Sequence, residues 1–437
     1  MARRVVLTSV GSYGDLHPFI AVGLALKASG FDVVIAASEI YREKVQAEGL
    51  LFHAVRPTAA QVMADTGLDD SGLVREVVRS TTMFLVEKMV IPYAEESFED
   101  LCAAMDGADL VVTSSFAIVA RLASAKLRLP SVSLLLSPCV FFSAEDPPYL
   151  PEAPWLPALR RVLGPWAVKA VMAVGSAQLR VRMRPIAEFR RRLGLPRLRG
   201  NEVIDAPLQA DWVAALYSPL LGPLPSDAPA YSEIVGFTFY DSERGEAPSL
   251  PPALAAFLAE GPAPLVFTLG SVAVLAAGDF YEQAVQAALR LGMRAILLVG
   301  RDAEARLAPL ASKEVFVAGY APHSLVFPRA AAVIHHGGIG TVGQALRAGK
   351  PQLVCPFLGD QPDNAERLVR MGVARRLDHK RFTAARAAAA LTELLGDPAT
   401  IERAARVGVQ VAAEDGADVV ASKIARMLSS PPEPSHH

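Results

Sequence analysis

Cysteine is scarce: Cys102, Cys139 and Cys355 are the only three in 437 residues, and their wide spacing makes neither a disulfide framework nor a metal-ligand pattern. A reducing compartment fits, with the three thiols packed in the core. Net charge is also nearly absent, at −2, so no global field draws nucleic acid and any anion has to be met by local groups. No apolar run approaches the roughly 18 residues of a membrane span. The short run after Arg3 and Arg4 is broken at Gly11, Ser12, Gly14 and Asp15 before a signal-peptide core can form. The chain is therefore expected to start inside its fold and to be cytoplasmic and soluble, and the final His436 and His437 after a Pro-Ser tail read as an appended remnant.

What is present is largely apolar. Hydrophobic residues make up 52% and charged residues 20%, with a mean hydropathy of +0.30, which suits a globular chain with large buried sheets. At 437 residues the chain exceeds one ordinary core, so two domains of roughly 200 residues are expected. The first fifty residues read as strand 5–10, a glycine-containing turn, helix 18–29, strand 33–37 and helix 41–48, a βαβ unit. Strands at 110–113 and 132–136 extend it into a doubly wound parallel sheet. The alternation restarts with strands at 265–269, 295–299, 315–318, 332–335 and 352–355. The predicted fold class is α/β, with two Rossmann-like doubly wound domains over 1–236 and 253–430. Between them, 237–252 carries Asp241, Ser242, Glu243, Arg244, Gly245, Glu246 and three prolines, the composition of an exposed linker.

Two stretches of the first half stand apart. Residues 137–157 break into Pro, Phe, Trp and Tyr with few charges, and Phe141, Phe142, Tyr149 and Trp155 are read as the lining of an apolar acceptor pocket. Residues 166–195 carry apolar residues at helical spacing with Arg180, Arg182, Arg184, Arg190, Arg191 and Arg192 clustered behind. This reads as a solvated helix face, with at most peripheral contact to a membrane surface.

The chemistry is concentrated in AAVIHHGGIGTVGQALRAGKPQLVCP, a strand, a glycine-rich turn, a helix and a second strand. Glycines 337, 338 and 340 leave the turn's backbone N–H groups uncovered, and Thr341 begins a helix whose positive end points at the same place. Such a turn binds a diphosphate. Gly338, Gly340 and Gly343 also satisfy G-x-G-x-x-G, with Asp360 beyond the next strand where a ribose-binding acid would stand, so an NAD-linked oxidoreductase is a rival reading. Against it, the motif lies deep in the second half rather than opening a domain, and His335 and His336 immediately precede the glycines.

With His336 and Thr341, followed by Asp360, Gln361 and Asn364, the chain resembles the family 1 glycosyltransferases of the two-domain B-type fold. The donor signature of that family runs His-x-Gly-x-x-Ser/Thr and ends in Asp-Gln-x-x-Asn. The resemblance covers nearly the whole chain, and GSYGDLHPF, PLVFTLGS, GYAPHSLVFP and HHGGIGT are most similar to rhamnosyltransferases of rhamnolipid synthesis, then to sterol and antibiotic glycosyltransferases. It implies that His336 and the amides at Gly338 and Gly340 bind the donor diphosphate, Thr341 and Ser271 add hydroxyl donors, and Asp360 with Gln361 holds sugar hydroxyls. Tyr320 stands where the family stacks an aromatic ring on the base, with His323 close behind. The nucleotide sugar is a co-substrate, so no cofactor is implied.

The resemblance also places the catalytic base at Asp15, three residues before Pro18, with His17 as the rival. A carboxylate with an ordinary pKa near 3.9 is a weak base for an alcohol. Either burial raises Asp15, or the proton moves late, as the anomeric carbon becomes cationic. Relatives with a histidine base pair it with a second acid after the strand at 110–113; here Ser114, Ser115 and Phe116 follow, as suits a carboxylate base. No two aspartates stand two apart, so the Asp-x-Asp metal site of the other large glycosyltransferase fold is missing and no metal is expected. Gln344 replaces the glutamate with which many UDP-glucose users hold both ribose hydroxyls, which leaves dTDP- and UDP-sugars both open. The expectation is an inverting transfer of a hexose to a hydroxyl of a lipophilic small molecule, with domain closure because Asp15 and the diphosphate turn lie on different halves. A sugar-nucleotide epimerase on the same fold and a catalytically silent binding protein compete with it, beside the oxidoreductase.

Overall fold

The computed structural model describes residues 2–79, 83–242 and 245–429; Glu243 and Arg244 of the linker and the terminal His436 and His437 lie outside them. The chain forms two compact units, one of Met1–Asp69, Thr82–Tyr240 and Asp415–His437, the other of Asp70–Thr81 and Asp241–Glu414.

The first unit is built on seven parallel strands: β1 (Arg4–Thr8), β2 (Asp32–Ala37), β3 (Leu51–Ala54), β4 (Leu110–Ser114), β5 (Ser131–Leu135), β6 (Trp212–Ala215) and β7 (Ser232–Ile234), in the order β3-β2-β1-β4-β5-β6-β7. The central strands read as unbroken Val, Leu and Ile because helices cover both faces, and all but the first residue of β1 and every residue of β4 is buried. The helix Tyr13–Ala28 packs its Leu16, Phe19, Ile20 and Leu26 into one of these layers. The last helix, Gly416–Ser429, returns to the same layer through Val420, Ala421 and Ile424.

The second unit repeats the plan with β8 (Leu265–Thr268), β9 (Ala295–Leu298), β10 (Val315–Ala318), β11 (Ala332–His335), β12 (Gln352–Val354) and β13 (Ala374–Arg376), all parallel, in the order β10-β9-β8-β11-β12-β13. In both sheets the strand order reverses beside the first strand, between β1 and β4 and between β8 and β11. Loops leaving the carboxyl ends of these strands border a crevice, the place where open α/β sheets take their ligands. Asp15 follows β1 and His336 follows β11, each at the switch point of its own sheet. Among the described residues no helix is long and apolar enough to cross a membrane.

Candidate active site

In the second unit the site is assembled from the loops after β8, β11 and β12. Thr268 and His335 are register partners at the ends of β8 and β11, so the turns that follow them emerge side by side. His335 is fully buried and serves the turn rather than a ligand. The Gly337 N–H donates to its Nδ1 at 3.0 Å, which leaves the ring proton on Nε2, 2.9 Å from Gln352 Oε1. Burial lowers its pKa to about 4, so it stays neutral.

His336 lies in a cradle that only glycine allows. A Cβ on Gly338 would come within 2.3 Å of the ring's Nε2, and one on Gly270 within 2.7 Å of Cε1. Gly337, at φ +92°, fits for a second reason: a Cβ there would meet Val354 Cγ1 at 2.8 Å. His336 is 8% exposed, and its Nδ1 is buried without a hydrogen-bond partner among the described residues. Burial, reinforced by His335 and His323, lowers its pKa to about 3. The helix Ile339–Arg347 begins at the N-cap Gly338, with no side-chain cap and no acid in its first turn. Its opening N–H groups and positive dipole end are thus left for an anion, with Thr341 buried in that first turn.

The loop after β12 closes on this turn. Asn364 Nδ2 donates to the Gly337 carbonyl at 3.0 Å and to Asp360 Oδ2 at 2.8 Å, tying the two loops together. Asp360 is the N-cap of the helix Gln361–Met371; its carbonyl accepts the Asn364 N–H at 3.0 Å, and its side chain does not cap the helix. The Gln361 amide oxygen accepts the N–H groups of Phe357 and Leu358 at 2.9 and 3.1 Å, which leaves its NH2 group as the part available to a ligand. Ser271 is exposed after Gly270, whose φ of +66° turns the chain out of β8. Tyr320 is 44% exposed, with the Arg301 guanidinium 5.9 Å from its ring centre. His323 stacks instead on Phe327 of its own segment, at 4.4 Å, and desolvation lowers its pKa to about 4 against the opposing pull of Asp241.

Asp241 is the residue that sequence reasoning missed. Its Oδ1 accepts Gln344 Nε2 at 2.7 Å and its Oδ2 accepts Arg347 Nη1 at 2.7 Å, while Gln344 Oε1 is buried without a partner among the described residues. Nothing in the sequence pairs positions this far apart. The bond gives a physical reason for glutamine at 344, since a glutamate there would face the Asp241 carboxylate.

In the first unit Asp15 is the third residue of the helix Tyr13–Ala28, where it forms a capping box with Ser12. The Ser12 N–H and Oγ–H donate to Asp15 Oδ2 at 2.7 and 3.1 Å, and neither reaches Oδ1. Desolvation raises its pKa above the ordinary carboxylate value, against the two Ser12 bonds that lower it. Gly11, at φ +138°, fits because a Cβ there would come within 2.2 Å of Asp15 Oδ2. His17 is half-buried between the rings of Tyr13 and Tyr240, at 5.7 and 4.9 Å. Of the aromatic residues assigned to an acceptor, Phe141 is buried, Phe142 (φ +44°) and Tyr149 are half-buried, and Trp155 is 49% exposed. Asp227 orders the segment by accepting the Ser143 hydroxyl and the Ala144 N–H.

Residues 285–427 match the family described as Erythromycin biosynthesis protein CIII-like, C-terminal domain. The chain is 33% identical over 424 residues to O-mycaminosyltylonolide 6-deoxyallosyltransferase of Streptomyces fradiae, covering 95% of each chain. It is 30% identical over 429 residues to vancomycin aglycone glucosyltransferase of Amycolatopsis orientalis, covering 96% of each. Among solved structures, spinosyn rhamnosyltransferase with thymidine diphosphate has the same fold, with a TM-score of 0.67 at 19% identity over 97% of this chain and 100% of that one. The fold is accordingly the two-domain B-type, and by its end-to-end identity with these sugar-transferring enzymes the chain belongs to the family 1 glycosyltransferases.

Proposed function

We propose that the chain transfers a hexose, with inversion and without a metal ion, from a dTDP- or UDP-sugar to a hydroxyl of a lipophilic small molecule in the cytoplasm. The observation that carries this reading is the bare turn at Gly338: uncapped helix amides beside a buried, neutral His336 whose Nδ1 has no hydrogen-bond partner among the described residues. An unmet buried polar atom costs about 1–3 kcal/mol, and a bound diphosphate relieves it. In the reaction Asp15 takes the proton of the acceptor hydroxyl as its oxygen bonds the anomeric carbon. The bond from that carbon to the diphosphate oxygen breaks, and the electron pair leaves with the nucleoside diphosphate. The turn amides and the neutral imidazole donate hydrogen bonds to the departing oxygens, a preorganised response to developing charge. The raised pKa of Asp15 supports its role as base, because a more basic carboxylate is better matched to an alcohol.

For the donor, Gln344 spends its NH2 on Asp241 and keeps only Oε1, a single acceptor suited to the one ring hydroxyl of a deoxyribose. That favours dTDP over UDP. Thymidine diphosphate in the spinosyn rhamnosyltransferase and the deoxysugar named for the Streptomyces fradiae relative support the same choice. With the sequence likeness to rhamnolipid-pathway enzymes, dTDP-rhamnose is the first donor to try, and UDP-glucose the second. Tyr320 is assigned to the base, Asp360 and the Gln361 NH2 to sugar hydroxyls, and Phe142, Tyr149 and Trp155 to an apolar acceptor. The dinucleotide and epimerase readings gain no support beside glycosyltransferase relatives of this extent. The test is transfer to a panel of hydroxylated lipids and phenols, with the anomeric configuration of the product read by NMR. Inverted product with release of dTDP or UDP is expected, and retained configuration overturns the mechanism.

A further inference from the structure

The helix Pro165–Arg182 of the first unit is apolar on the side it turns to solvent. Only Ala167 and Val168 are buried. Trp166, Ala170, Ala173, Val174, Ala177 and Val181 are all exposed, and their spacing of four, three, one, three and four residues places them on one face. Trp166 is 67%, Val174 62% and Val181 73% exposed, and the helix Leu156–Leu163 just before it adds Val162 at 77%. An ordinary surface helix turns its apolar stripe inward, so a stripe facing outward marks a contact.

Charge says what it contacts. From 156 to 199 the sequence carries eleven Arg or Lys residues and one acid, Glu188, although the whole chain is −2. Part of that surplus is neutralised, as by Arg182 on Glu87 and Arg192 on Glu95. Arg161, Lys169, Arg180, Arg191, Arg197 and Arg199 are exposed, with no side-chain ion pair or hydrogen bond among the described residues. Lys169 and Arg180, three turns apart, run along one edge of the apolar stripe, and the helix contains no acid.

We infer that this face docks the enzyme on an anionic lipid surface, with Trp166, Val174 and Val181 entering the headgroup boundary and Lys169 and Arg180 meeting lipid phosphates. A second copy of the chain is the poorer occupant. Antiparallel packing centred between Val174 and Gly175 would set Arg180 of one copy beside Lys169 of the other, twice, with no acid to offset it. The docking is independent of the donor and acceptor proposed above and is measured without turnover.

The experiment is sedimentation of the full chain with vesicles of phosphatidylcholine alone, or of phosphatidylcholine mixed with phosphatidylglycerol. Binding to the mixed vesicles only is expected, weakening as salt screens the headgroups. Replacing Arg161, Lys169 and Arg180 together by Gln should weaken it roughly a hundredfold, about fivefold per cation. Val174→Asp should weaken it on the order of tenfold. Melting temperature and nucleotide binding check that each variant is folded, and quenching of wild-type tryptophan fluorescence by brominated lipid, lost in Trp166→Phe, reads the contact without relying on the other variants. Wild-type protein that stays in the supernatant with both vesicles overturns the inference. So does vesicle binding that both variants retain, or a dimer in light scattering that Val174→Asp dissociates while vesicles bind nothing.

Discussion

At position 15 one carboxylate oxygen receives both Ser12 donors, and a substitution that keeps that geometry separates capping from catalysis. Asp15→Asn retains an oxygen for the Ser12 N–H, so the melting temperature should hold while kcat falls by roughly 10²–10⁴ and nucleotide affinity is unchanged. Asp15→Ala should in addition cost about 1 kcal/mol of stability through the lost cap. His17→Gln should turn over at near the wild-type rate; the reverse pattern, activity kept in Asp15→Asn and lost in His17→Gln, moves the base to His17. At Gly338 an added methyl would meet the His336 ring at 2.3 Å, so Gly338→Ala should weaken dTDP binding by about tenfold or more in calorimetry. Gly340→Ala is its control, because nothing lies within 4 Å of the added methyl. Its stability should be unchanged or up to about 1 kcal/mol higher, and any loss of affinity reports the nucleotide itself against the turn.

Among the elements, the loops after β11 and β12 hold two buried histidines neutral, and this sets a pH dependence. His335 and His336 have folded pKa values lowered to about 4 and about 3, whereas the unfolded chain takes up protons near the ordinary 6.5. Stability is therefore full above pH 6.5 and is lost as pH falls below it. Between pH 7 and 5.5 the loss should be on the order of 1 kcal/mol for each histidine, seen in urea melts and reduced in His335→Gln. Gln344→Glu should destabilise by bringing two carboxylates together, and Asp241→Asn in the same chain should restore the melting temperature. If the single variant melts like wild type, the Asp241 bond is not what holds position 344. The strands that line these sites were legible because Val, Ile and Leu runs buried on both faces have few alternatives. Strands β3, β6, β7 and β13 were not read from the sequence; of these, Ser232–Ile234 and Ala374–Arg376 are short and polar, and each pairs with a single neighbour at a sheet edge. The first helix starts at Tyr13, ahead of the Pro18 start read from the sequence, because the Ser12–Asp15 box supplies an opening turn that Pro18, lacking an N–H, could not.

For the molecule as a whole, the sequence carries the plan of two Rossmann-like sheets and the motif at His336, because both are local patterns. The return of Gly416–Ser429 to the first unit and the pairing of Asp241 with Gln344 join distant parts of the chain, and no periodicity announces them. The difference between the adjacent histidines is of the same kind: His335 supports the turn through Gln352, seventeen residues on, whereas the His336 ring lies against Gly270 and Gly338. The glycine turn alone fits a dinucleotide as well as a nucleotide sugar, and it is the end-to-end likeness to glycosyltransferases that favours the sugar donor. Thermal melting of the full chain with dTDP, UDP or NAD therefore separates a nucleotide-sugar site from a dinucleotide site. A nucleoside diphosphate at a hundred times its Kd should stabilise by about 2.7 kcal/mol, with dTDP ahead of UDP and NAD without effect. Stabilisation by NAD alone, with dTDP and UDP silent, would make the turn a dinucleotide site and remove the sugar-donor role.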